Sequence, residues 1–187
     1  MPKAPGSVPG MESLRGQLLI ASPSLVDPNF HRSVVLITHH DEDGAMGLVL
    51  NHPSSTAVSD AVPELEDLVE LDDWVYVGGP VEPGAALLLA ELENPAEATA
   101  VVFADIGFPP EDPAPGSTRR LRVFAGYAGW GAGQLEAELE EEAWIVTPAE
   151  RDDVFAEDAD ELWSAVLRRK GGRFAILATM PPDPSLN

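Results

Sequence analysis

The sequence predicts an α+β or mixed α/β fold, and three observations carry that prediction. Strand-like runs outnumber helical ones, the helices are scattered among the strands instead of alternating with them, and 44% hydrophobic residues over 187 positions can fill one core. A chain of this length favours one domain, placed over residues 13–187 and preceded by a disordered, Pro/Gly-rich tail at 1–12.

Taken in order, residues 16–21 (GQLLIA), 33–38 (SVVLIT) and 46–51 (MGLVLN) read as aliphatic, β-branched strands. Between the last two, Asp43-Gly44 signals a hairpin turn. Residues 59–71 place Val62, Leu65, Leu68, Val69 and Leu71 on one side of a short helix that Pro63 interrupts early. The strand 74–77 (WVYV) then runs into Gly78-Gly79-Pro80, and 86–91 and 100–104 are further strands. The Pro-rich stretch 109–118 is a loop. Residues 121–125 form a strand that leads through a glycine-rich bend into a helix at about 132–142, with Leu135, Leu139 and Ala143 as its buried stripe. After a strand at 144–146, Thr147-Pro148-Ala149-Glu150 has the pattern of a capping box. The last helix, 159–170, buries Leu162, Trp163, Val166 and Leu167. It ends in Arg168, Arg169 and Lys170, which complement its dipole, with Gly171 as its C-cap.

Eleven Lys and Arg stand against 32 Asp and Glu, a formal net charge of −21. Phosphate and anionic lipid headgroups bind through basic residues, so neither nucleic acid nor a membrane surface is an expected partner. No cysteine is present, which removes disulfides, thiol catalysis and thiolate metal sites. Residues 1–10 lack the apolar stretch of a signal peptide and the longest purely apolar run is 85–90, so a cytoplasmic location is expected.

The catalytic templates fail in turn. There is no G-x-S-x-G, and Ser22, Ser24 and Ser33 lack a nucleophile-elbow context. His39-His40-Asp41-Glu42-Asp43 gathers metal-ligand types, but neighbours on an extended segment point to opposite faces, so the segment reads as a hydrophilic hairpin loop and no metal is expected. The 126–133 stretch has the strand–glycine–helix context of a phosphate site. However, Ala132-Gly133 stands where Lys and Ser or Thr are needed, and Gln134 takes the place of the third dinucleotide glycine. The glutamates at 136, 138, 140, 141 and 142 would also repel phosphate, so no cofactor is expected, and the glycines read instead as permitting positive φ and close backbone approach around Tyr127 and Trp130. Two residues apart on a helix, Glu136 and Glu138 do not form a facing carboxylate pair.

Five segments, 16–23 (GQLLIASP), 27–34 (DPNFHRSV), 44–53 (GAMGLVLNHP), 78–81 (GGPV) and 126–138 (GYAGWGAGQLEAE), together resemble the YqgE/AlgH family in order and spacing, over about 13–187. The resemblance implies a soluble, largely uncharacterised bacterial protein, and a small closed or strongly curved mixed β-sheet surrounded by helices. Some members carry the label of transcriptional regulator, which sits badly with a charge of −21 and no basic helix. This chain departs from the family pattern at His52, where a basic Arg or Lys is common, and over about 94–117.

The family has no settled reaction, so the motif residues transfer as a shared surface. The expectation is a ligand-binding groove of Asp27, Phe30, Arg32, Asn51, Pro53, Gly78, Gly79, Pro80, Tyr127, Gly129, Trp130 and Gln134. Arg32 and Asn51 would supply polar contacts, and Phe30, Tyr127 and Trp130 an aromatic wall. The competing structural reading has Asp27 capping a turn and pairing with Arg32 while Gly-Gly-Pro shapes the chain. The function expected is a binding or regulatory module for a small ligand or a protein segment, as a monomer or weak homodimer. The alternative is an enzyme with Asp27 or Glu136 as base and Arg32 as anion clamp, and a transcriptional regulator comes third.

Overall fold

A computed structural model describes residues 12–25 and 27–181. The tail expected at 1–12 lies outside the described residues except for its last position.

The first strands, β1 (Gln17–Ala21), β2 (Val34–Asp41) and β3 (Gly44–Val49), pair antiparallel in a meander. Their unbroken apolar runs follow from burial on both faces. Leu18, Ile20, Val34, Leu36 and Leu48 join one core, while Leu19, Ala21, Val35, Ile37 and Val49 join a second on the opposite face. The short strand β4 (Pro53–Ala57) leads into helix α1 (Val58–Ala61), a 3-10 turn at Pro63–Leu68 and strand β5 (Trp74–Val77). Pro63 thus splits the expected 59–71 helix, since it cannot donate to the first turn.

Next come β6 (Val81–Leu92), the hairpin of β7 (Ala100–Phe103) and β8 (Ile106–Phe108), and β9 (Thr118–Gly131). Helix α2 (Gln134–Glu140), strand β10 (Trp144–Pro148), and helices α3 (Arg151–Val154), α4 (Ala159–Lys170) and α5 (Arg173–Leu177) complete the chain. Leu162, Trp163, Val166 and Leu167 of α4 fill the first core, as their spacing predicts, and Leu135 of α2 enters the second.

All ten strands belong to one mixed sheet ordered β10-β1-β2-β3-β9-β6-β8-β7, with β4 on β5 and β5 parallel to β9. The fold is therefore α+β, but the sheet is large and not closed, which corrects the small closed sheet that the resemblance implies. Ten strands follow because β4 and β8, and the extra length of β6 and β9, carry too few alternating apolar residues to be read as strands.

The main correction concerns the expected glycine bend after residue 125, because β9 runs straight through it to Gly131. Within it Gly126, at φ 71°, serves close backbone approach, while Gly129 and Gly131 meet only ordinary side-chain contacts. A Cβ on Gly78 would lie 2.3 Å from the carbonyl oxygen of Gly126, so the β5–β6 connection crosses directly over β9. Likewise the turn between β2 and β3 is Glu42-Asp43, with Asp41 paired to Gly44. Gly44 is the first residue of its strand, and a Cβ there would come 2.2 Å from the Trp130 carbonyl oxygen. The capping box also lies three residues beyond its expected place. Glu150 caps α3 and its N–H donates to Asp153 Oδ2 at 2.7 Å, while Thr147 and Pro148 remain in β10.

No described helix is long and apolar enough to cross a membrane.

Candidate functional site

The residues expected to share one groove are divided between the two faces of the sheet. Phe30 stacks on Trp130 (ring centroids 6.3 Å) and meets Trp144 edge-on, all within the second core. Tyr127, an odd number of strand positions from Trp130, packs against the first core instead. Arg32 also belongs to that side. Its guanidinium lies 4.0 Å above the Trp163 ring and donates to the Met180 carbonyl (3.0 Å) and to Ser164 Oγ (3.4 Å). The hollow beside it is small, about 40 Å³.

The other motif residues are largely taken up by the backbone. Arg32 adopts φ 53°, and Asn51 clamps that turn by donating to the Arg32 carbonyl (2.9 Å) and accepting from the Val34 N–H (3.0 Å). Asp27 accepts from the Asn29 N–H at 2.9 Å, the turn-capping role, and no ion pair joins it to Arg32. Gln134 accepts from the Gly131 N–H at 3.0 Å and squares the β9–α2 corner, where Gly129 is exposed. Gly78 and Gly79 are buried against β9, with Pro80 exposed beside them. Burial favours the neutral form of His52, whose Nε2 lies 3.3 Å from Ser33 Oγ. Pro53, by contrast, lines a hollow of about 450 Å³.

Two glutamates of α2 have different environments. Buried His40 accepts the Leu14 N–H on Nδ1 (3.0 Å), so Nε2 carries the proton and donates to Glu136 Oε1 at 2.7 Å. Glu136 is held below the usual carboxylate range: desolvation raises it, but the His40 hydrogen bond and backbone outweigh that. His39, one residue earlier, points outward to Asp41, as expected of neighbours on a strand. Glu138 is instead raised, first by desolvation and further by the charges of Glu141 and Asp27, against the pull of the Trp130 and Trp144 indoles. Its Oε2 and the Trp144 Nε1 are both buried without a hydrogen bond.

A carboxylate raised on folding favours the native state at low pH and loses that contribution as pH rises through its folded value. Glu138→Gln is therefore expected to raise the melting temperature at neutral pH, with the gain vanishing below the ordinary Glu range. Thermal melts across that interval check the sign; an equal gain at both ends would assign the effect to packing.

The larger openings lie elsewhere, and one is built on β5. In the all-apolar strand W-V-Y-V the two central residues, Val75 and Tyr76, are buried in different cores, while the end residues Trp74 and Val77 are 45% and 41% exposed, with Leu71 at 88% just before them. Trp74 and Tyr76 wall a cavity of about 550 Å³, whose rim carries Glu70, Asp72, Asp73 and Glu157. An adjoining hollow of about 450 Å³ shares Trp74, Tyr76 and Glu157 and adds Pro53, Asp158 and Asp160. At the floor, Arg122 lies 4.1 Å above the Tyr76 ring, donates to the Val154 and Ala156 carbonyls (3.0 and 3.1 Å), and is lowered by desolvation. Sequence reasoning missed this groove. Its signal was the acidic 64–73 run beside a short apolar strand that opens on Trp74. Among the described residues no three His, Asp or Glu converge as metal ligands.

A large open mixed sheet flanked by short helices, with an acidic and aromatic groove at one edge, defines a sheet-dominated α+β protein with a surface site. The chain belongs to the AlgH-like family, whose model matches residues 18–175. It is 45% identical over 188 residues to a UPF0301 protein of Streptomyces coelicolor, covering 95% of this chain and 97% of the relative. A UPF0301 protein of Thermobifida fusca is 42% identical over 191 residues, covering 94% and 96%. Among solved structures, the crystal structure of protein DIP2367 from Corynebacterium diphtheriae matches with a TM-score of 0.83 at 29% identity, over 91% of this chain and 94% of the other. The solution structure of the AlgH protein from Pseudomonas aeruginosa matches with a TM-score of 0.71 at 29% identity, over 94% and 97%. None of these names states an activity.

Proposed function

We propose that this family member is a binding module, and that its groove around Trp74 receives a cationic, aliphatic segment of a partner protein. The observation that carries the reading is the pairing of an exposed tryptophan with six carboxylates, Glu70, Asp72, Asp73, Glu157, Asp158 and Asp160, about two joined cavities. An indole in a carboxylate rim offers cation–π attraction and apolar area to a Lys or Arg stem, and the surrounding charge of −21 steers such a segment inward. Val58, Val69, Leu121 and Val123, which line the larger cavity, supply the apolar part for an aliphatic neighbour. The catalytic alternative has Asp27 or Glu136 as base, but neither lines the cavities at Trp74 and Arg32. Arg32, the proposed anion clamp, is engaged by Trp163, Ser164 and Met180.

The test is a fluorescence titration of the full chain with a capped Lys-Leu-Arg-Leu-Lys peptide and with its Glu-substituted counterpart. The basic peptide is expected to saturate the signal, to weaken as salt rises, and to lose about tenfold or more in affinity with Trp74→Ala. Equal binding of the acidic peptide, or an unchanged affinity in the variant, would reject the reading.

A further inference from the structure

A second cavity, remote in sequence from the Trp74 groove and sharing no residue with it, lies between the free edge of β10 and the α4–α5 corner. Its volume is about 490 Å³, within the roughly 300–1,000 Å³ of small-molecule sites. The walls are apolar, with Ile145 and Val146 from β10 and half-buried Phe174 and Leu177 from α5.

Two cations stand at this cavity, Lys170 and Arg173, each 5.0 Å from the centre of the Phe174 ring. Neither forms an ion pair with a described carboxylate, in a chain with 32 Asp and Glu. The neighbouring cations Arg168 and Arg169 do, with Glu161 and with Asp153 and Glu150. Lys170 has a structural task, since it ends α4 and donates to the Val146 carbonyl at 2.7 Å, closing part of the β10 edge. That leaves two of its three protons free. Arg173 has no such task. It opens α5, the helix end where a cation is electrostatically disfavoured, and its guanidinium makes no hydrogen bond to a described residue. One carboxylate, Glu142, also borders the cavity, so the local balance remains positive.

We infer that this cavity binds an amphipathic carboxylate, its apolar chain or ring against Ile145, Val146, Phe174 and Leu177 and its acid group at Lys170 and Arg173. The charge is local: a carboxylate here meets two cations, whereas an alkylammonium would face both of them. The inference does not rest on the Trp74 groove.

The test uses octanoate, 1-octanol and octylammonium, which share one chain and differ in the head, titrated into the isotopically labelled full-length protein and followed by amide shifts. Octanoate is expected to give saturable shifts in β10 and α5 and to bind about tenfold more tightly than octanol, with octylammonium weakest. Arg173→Gln, an exposed change that leaves the Lys170–Val146 bond in place, is expected to bring octanoate down toward octanol and leave octanol unaltered. Adding Lys170→Gln should remove the remaining preference. Trp74→Ala should leave all three titrations unchanged, which separates this outcome from failure of the partner-binding reading. Acid and alcohol binding alike to the unaltered protein, no saturable shifts with octanoate, or an octanoate affinity indifferent to Arg173→Gln would each overturn the inference.

Discussion

Gly79→Ala is expected to cost about 3 kcal/mol or more and to leave the chain largely unfolded under conditions where the parent is native. The residue is buried with φ 157°, and a Cβ would lie 2.2 Å from the Tyr127 carbonyl carbon and 2.3 Å from the Ala128 nitrogen. Those are backbone atoms of β9, held by pairing to β3 and β6, so no side-chain rotation relieves the clash. Gly133 provides the control. Its φ of 78° is also positive, yet a Cβ there meets nothing within 4 Å, so Gly133→Ala should cost only about 1–2 kcal/mol for the backbone conformation. Urea unfolding of both variants separates the terms. Equal losses would mean that conformation alone, not the crossing over β9, fixes glycine at 79.

The same crossing explains what was legible in the chain and what was not. Aliphatic strands flanked by two cores advertise themselves, and β1, β2 and β3 lie close to where their apolar runs place them. Helix α4 occupies residues 159–170 as expected because cap, stripe and basic C-terminus all agree. Of the two readings of the glycines in 126–131, close backbone approach holds at Gly126 and the bend does not, because a glycine that permits a turn and one that admits a crossing backbone are the same residue in a sequence. Arg32 and Asn51 misled similarly. A polar pair at strand ends can line a groove or satisfy a strained turn, and Asn51 spends both ends of its amide on Arg32 and Val34. Trp74 escaped notice because both faces of β5 are covered, Val75 and Tyr76 lying in different cores, and only the end of the strand is open, which an all-apolar run does not reveal.

Arg169→Met is expected to destabilise the protein by about 2–4 kcal/mol, more than any single surface ion pair here should contribute. The guanidinium holds Asp153 in a bidentate pair, Nη1 to Oδ1 and Nη2 to Oδ2, both at 2.8 Å. The Asp153 side chain is 6% exposed, so methionine would strand a buried carboxylate. The Asp153 hydrogen bond raises the Arg169 pKa despite desolvation, which is the direction of a guanidinium stabilised by its partner. The same Asp153 Oδ2 accepts the Glu150 N–H that starts α3, so the loss propagates from the end of α4 to the cap of α3. The attribution is decided by the double variant Asp153→Asn/Arg169→Met. Asparagine keeps an oxygen for the Glu150 N–H and removes the charge, so the double variant should be more stable than Arg169→Met alone. If it is the less stable of the two in chemical denaturation, the arginine acts by packing against α3 and not by neutralising Asp153.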